Sequence, residues 1–345
     1  MTRILAESSR GSEHGSDPLS PTQPRDAVFD SYLDAWILSR YADVLAALRE
    51  PALWPVAARR KLNLKIPDET AQQALRGQVL NAFSLPRLNE WRAKIERLAD
   101  GMSFQFPVDL VTEFAEPWCL AAAEIVTGSD PADREPLLAA ARIVSAAAAE
   151  PLDEDLMSPA SRANAELERY FQDSAIPMAG PTFVALSRTV ACLLASGWWA
   201  LLRHPAELTQ LCACPEQIPK AIEEILRYAC LPQSVYRCAS RPVALCGLEI
   251  ARGDSVILRL ASANRDPLQF SDPDRMDFAR RGAAQLSLGF GPHSCVGAAL
   301  IRMTAATATR VFVEKFGNCR ICSPVAWQGG EGFRSPATLR VHYPG

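Results

Sequence analysis

The 345-residue chain is 48% apolar and 22% charged, with a formal net charge of −3. That composition buries a large core and excludes disorder and collagen-like repeats. The mildly acidic balance excludes recognition of nucleic acid or an anionic membrane by bulk charge. Ten cysteines are scattered along the chain, which fits a reduced, cytoplasmic setting better than a disulfide framework. The first seventeen residues carry Glu7, Glu13 and Asp17 and no apolar stretch of a secretory signal.

Residues 1–26 are rich in Ser, Pro and Gly without periodicity and read as an N-terminal arm, mobile or draped. A single domain over 27–345 follows. Ala35 to Ser39 has strand character and Tyr41 to Arg49 helical spacing up to Pro51, so a β-to-α unit opens the domain. From Thr70 the period turns helical: Ala74, Leu75, Val79, Leu80 and Phe83 form a stripe. Pro86 restarts it, and Leu88, Trp91, Ile95 and Leu98 continue it. Pro107 introduces an apolar helix over Val108 to Val126. Two weaker helical runs lie between Asp130 and Asp173, separated by the Pro, Asp and Ser cluster of Pro151 to Ser161. Pro181 to His204 is apolar almost all round and belongs in the protein centre; Pro205 ends it. Its apolar run, Val190 to Leu202, suits a buried core helix better than a membrane span. Glu216 to Tyr228 is a further helix, and Val243 to Gly247 and Ser255 to Leu260 have strand character around turns. Asn264 to Gln285 is a long irregular stretch, of a kind that is usually functional. A helix from Cys295 to Phe316 and a strand-poor tail close a mainly α fold with small β-sheets.

The stretch most telling of chemistry is Leu288-Gly-Phe-Gly-Pro-His-Ser-Cys-Val-Gly297, immediately before that helix. Gly289, Gly291 and Gly297 let the backbone turn tightly and approach a flat ligand with no Cβ in the way. Cys295 stands at a helix N-terminus, where the dipole and free amides favour a thiolate suited to a metal. His293 is placed to donate to a carboxylate. Upstream, Glu224-Ile-Leu-Arg227 puts an acid and a base on one helical face at i,i+3 spacing, so they can pair.

Taken together and in this order, these segments resemble the cytochrome P450 family of haem-thiolate proteins. The resemblance runs from about Trp36 to Val341 and matches the family's cysteine loop, with Leu288 in place of the usual leading Phe. Glu224 and Arg227 match its Glu-x-x-Arg signature, and Asp272-Pro-Asp-Arg275 its following meander, whose Arg275 is expected to complete a three-residue network. The resemblance implies haem b on Cys295, with Arg76, Arg237 and His293 holding two propionates. Gln72 replaces the aromatic or His that usually precedes the first of these arginines.

Two departures stand out. Between Asp173 and Pro181 there is no room for the helix that normally precedes the central one, so the substrate lid is expected to be reduced or reshaped. In the central helix, the family's proton-delivering acid and threonine fall at Arg188 and Thr189, and its small pair at Ala185-Leu186. A guanidinium has no acceptor lone pair to relay through. Arg188 either pairs with an acid of a neighbouring helix or clamps a substrate carboxylate, as in the family's fatty-acid peroxygenase branch. That branch normally has proline after its arginine and a longer cysteine loop.

The resemblance implies a cytoplasmic monomeric monooxygenase that inserts one atom of O2 into a small organic molecule, which the clamp reading would have bear a carboxylate. Electrons are expected from a ferredoxin and its NAD(P)H-dependent reductase, since the chain has no Gly-x-Gly-x-x-Gly site. Arg59, Arg60 and Lys61 are a candidate docking cluster. The alternative is a peroxide-driven or non-inserting enzyme that couples or eliminates; a non-catalytic scaffold is a third reading.

Overall fold

The structure is a computed structural model and describes residues 18–56, 69–151, 153–282, 284–330 and 332–343. The docking cluster at Arg59, Arg60 and Lys61 lies outside the described residues, as does the arm up to residue 17. The remainder of the arm is draped: Leu19 is buried, and Ser39 Oγ accepts from the Arg25 amide and donates to its carbonyl.

The β-to-α unit forms as Ala35–Leu38 and Tyr41–Arg49. Ala35–Leu38 pairs in parallel with Ser255–Leu258, whose four residues are all buried. Val235–Ala239 lies antiparallel on the other side of Ser255–Leu258, and Leu53–Val56 adds beyond it with Pro55 opposite Arg237. Neither of these two strands shows in the sequence, because Leu-Trp-Pro-Val and Val-Tyr-Arg-Cys-Ala lack clean alternation. Pairing with neighbours makes them strands. Among its described residues the tail holds four short strands, of which Arg340–His342 reaches back to Val108–Asp109.

The apolar segment becomes a helix over Ala179–Arg203 whose apolar surface is mostly buried inside the fold, as befits a core helix. It packs against helices Glu116–Thr127, Ile218–Ala229 and Ala298–Phe316. Trp198 stacks between Phe114 at 4.7 Å and Phe312 at 5.0 Å between ring centroids. Gly197 permits the close crossing with Ile218–Ala229: a Cβ there would lie 2.6 Å from Ile225 Cγ2. Across Ala185–Val190 this helix widens into a π turn, a distortion that recurs at functional sites.

Two local readings are corrected. The helix expected from Val108 begins later, because Val108–Asp109 joins the tail strand. The Asp109 carboxylate accepts from Val111 N, and a π turn over Leu110–Ala115 leads into Glu116–Thr127. Within the Pro151 to Ser161 cluster a helix already runs, Glu154–Tyr170, with Pro159 inside it. Asp153 caps its first turn and Glu154 and Asp155 favour its positive end. The missing helix between Asp173 and Pro181 is replaced by a few turn residues.

Candidate haem-thiolate site

The cysteine loop is a turn with its own hydrogen bonds. Gly289 N donates to Leu286 O at 2.8 Å and Cys295 N to Leu288 O at 2.8 Å. Gly289 and Gly291 adopt φ of 69° and 70°, which only glycine takes without strain. A Cβ at Gly291 would come within 2.7 Å of Leu48 O, so this glycine also lets the loop seat on helix Tyr41–Arg49. A Cβ at Gly297 would only touch Cys295 Sγ at 3.8 Å. Burial pushes the Cys295 thiol up from its ordinary value, against the pull of the Gly297 amide and of the Arg302 and Arg76 cations. A metal cation on the sulfur reverses that balance. The α-helix proper starts at Ala298, so the amide that reaches the sulfur belongs to its cap residue.

Arg76, from helix Glu69–Ala82, reaches this loop. Its Nη1 donates to Ser294 O at 2.6 Å and its Nη2 to Ser294 Oγ at 2.8 Å. His293 lies against Trp54, with ring centroids 5.3 Å apart. Arg237 sits one strand away from Trp54, 6% exposed, and lines a cavity of about 190 Å3. Its one hydrogen bond among the described residues runs from Nη1 to the adjacent Tyr236 O, and no acid among them pairs with it. Burial lowers its pKa to about 10. A buried guanidinium without an acid calls for an anion, and the propionates of haem b fit that demand. Opposite effects on two states follow. Arg237→Met should stabilise haem-free protein by about 3 kcal/mol at neutral pH, because the desolvation cost is present at every pH below about 10. The same change should weaken haem retention in the loaded protein. Differential scanning calorimetry of both forms checks this; a loss of stability in the haem-free form would mean that Arg237 already has its partner.

Glu224 and Arg227 pair as expected, with Nε to Oε2 and Nη2 to Oε1 both at 2.8 Å and both side chains buried. Arg227 also donates to the carbonyls of Asn264, Pro273 and Arg275 at 2.9, 2.8 and 3.1 Å. The third member of the network is corrected: Arg275 is exposed and contributes only its carbonyl. Arg280 supplies the second guanidinium, its Nε donating to Glu224 Oε1 at 3.3 Å. Asp277 N donates to the same oxygen at 2.9 Å. The irregular stretch after Asn264 is thus held by guanidiniums on backbone carbonyls where secondary structure is absent.

Arg188 takes the neighbour-acid fate. Its Nη1 donates to Glu116 Oε1 of helix Glu116–Thr127 at 2.7 Å. Thr189 is part-buried on the π turn, and its hydroxyl makes no hydrogen bond among the described residues. The structure therefore gathers Cys295, His293 and Arg76 at the loop and Arg237 on the adjoining sheet, and turns Arg188 to another helix.

Sequence reasoning missed Trp54, Arg280, Arg302 and Asn264. Arg302 Nε donates to Glu223 Oε1 at 2.5 Å, one helical turn into the helix after Cys295. Asn264 is fully buried; its amide donates to Ser287 Oγ at 2.9 Å and its carbonyl accepts from Leu286 N at 2.8 Å, clamping the run into the loop. The Asp-Phe-Ala-Arg spacing before the loop was the one available signal for Arg280.

A cationic rim beside a half-buried cysteine on a glycine turn, near a π-opened core helix, is the donor set that a haem-thiolate site calls for. Residues 218–317 match the family described as Cytochrome P450. Cytochrome P450 107B1 of Saccharopolyspora erythraea is 29% identical over 84% of this chain and 84% of its own. Nocardicin C N-oxygenase of Nocardia uniformis subsp. tsuyamanensis is 29% identical over 95% of this chain and 94% of its own. The solved structure of Mycobacterium smegmatis CYP164A2 with econazole shares the fold, at TM-score 0.82, 23% identity and coverage of 92% and 93%. These matches support a bacterial cytochrome P450, a family whose members bind haem b, and with it an oxidoreductase of the monooxygenase type.

Proposed function

We propose that this monooxygenase acts on a small organic molecule, with the Cys295 thiolate as the haem-iron ligand and Arg76, Arg237 and His293 about the propionates. The observation that carries this reading is Arg237: a buried cation with no acid partner among the described residues, one strand from the Trp54 and His293 pair. Bound to a thiolate, haem iron is electron-rich and favours O–O cleavage. The chain's own residues do the rest. The Gly297 amide and the Arg302 and Arg76 cations stabilise negative charge on sulfur. The Thr189 hydroxyl is the group left to hold a proton on the central helix, since Arg188 is engaged by Glu116 and has no lone pair. Electrons come from a separate ferredoxin and its NAD(P)H-dependent reductase, because the chain carries no dinucleotide motif. A substrate carboxylate at the haem is not required, as Glu116 already engages Arg188 Nη1.

One observation supports a second reading. The acid of the central helix is replaced by Arg188, which favours a peroxide-driven enzyme or one that forms a bond without net insertion. The two readings part on the source of oxygen. A library of acids and neutral analogues is first screened for the low-spin to high-spin shift that reports displacement of the iron-bound water. The hit is then turned over under 18O2 with ferredoxin, reductase and NADPH. Labelled product, and no bias toward acids in the screen, are expected. Turnover only with peroxide, or product without added oxygen, would establish the second reading.

A further inference from the structure

Away from the cysteine loop, a cavity of about 370 Å3 opens between helix Glu116–Thr127, helix Arg134–Ala149 and the π turn of the central helix. It shares no lining residue with the site at Cys295, Arg76, Arg237 and His293. Its charged lining is Arg134, Arg142, Arg188 and Glu116, and Leu120 and Leu138 stand in its apolar wall. Two of the guanidiniums have acids. Arg134 donates to both oxygens of Glu124, at 2.7 and 2.8 Å, and Arg188 Nη1 donates to Glu116.

The third, Arg142, is exposed and makes no ion pair among the described residues. The Arg188 Nε is buried and has no hydrogen-bond partner among them. Three cations against two acids leave one positive charge and one buried donor at a recess that is partly screened from water, a setting that favours an anion. The volume falls within the range of small-molecule sites, and apolar lining beside a few polar groups is their usual make-up. Leu120 and Leu138 give an apolar group more area to cover than a bare inorganic ion uses.

We propose that this cavity is a second ligand site that takes a small amphiphilic carboxylate, its head between Arg142 and the Nε edge of Arg188 and its tail on Leu120 and Leu138. The site stands on this geometry and does not depend on the reaction assigned to the haem. Its ligand lies against the residue that precedes Thr189, on the π turn itself.

The test uses haem-loaded protein whose iron is blocked by an azole, so that the haem pocket does not answer. Isothermal titration calorimetry with hexanoate should show saturable one-to-one binding, with acetate and 1-hexanol each much weaker. Arg142→Gln and Arg188→Gln should each weaken hexanoate by about tenfold or more, as for loss of a charge-assisted hydrogen bond. Arg188→Gln leaves Glu116 without its cation, so Arg142→Gln, at an exposed position, decides the matter if the other variant does not fold. Absence of saturable binding in the azole complex overturns the site. So does an affinity unchanged by Arg142→Gln, or 1-hexanol binding as tightly as hexanoate.

Discussion

Cys295→Ser should abolish oxygenation and remove the red-shifted Soret band of the ferrous carbonyl complex, while the loop around it stays in place. The reason lies in what holds the loop. Gly289, Leu288 and Ser294 are fixed by backbone bonds and by Arg76, none of which uses the sulfur. Serine keeps the position and the nearby Gly297 amide but offers a hard oxygen of high pKa where the thiolate supplies soft, electron-rich coordination. Absorption spectra of the reduced carbonyl complex, taken with a pyridine assay of haem content, check the outcome. An unchanged band would mean that another residue binds the iron.

The second large effect is expected beneath the loop. Glu224→Ala removes the acid from Arg227, which is 2% exposed, and from the Arg280 guanidinium that shares it. Stranding buried charge of this kind costs about 3–5 kcal/mol. The protein should be poorly folded and haem-depleted, as read by thermal melting and by the ratio of haem to protein. Arg280→Ala should lie between this variant and the parent. Arg275→Ala, at an exposed side chain, should stay within about 0.5 kcal/mol of the parent. The ranking distinguishes the two arginines: a larger loss at position 275 than at 280 would restore the network expected from the meander.

Much of the fold is legible in the sequence. Ala179–Arg203 announces itself by a long apolar run and Tyr41–Arg49 by a 3.6-residue period, each closed by proline. The Glu224 and Arg227 pair was equally plain, since i,i+3 spacing on a helix brings two side chains together whatever lies around them. Strands such as Val235–Ala239 were invisible for the opposite reason: a short strand with an inward arginine exists only because another strand pairs with it.

The site divides along the same line. By itself the sequence determined the cysteine, its glycine turn, the acid and base that brace it, and the class of chemistry they serve, because each is carried by residues close together in the chain. The tertiary structure alone decided partners that meet across long separations. Arg280, not Arg275, reaches Glu224, because the meander's path turns one inward and the other to water. Gly291 meets Leu48, far earlier in the chain, so a packing constraint acts on the glycine turn as well. Arg188 meets Glu116 because two helices cross there. No spacing rule could choose between that acid and a substrate, since which face of a buried helix meets which neighbour is set by packing of the whole core.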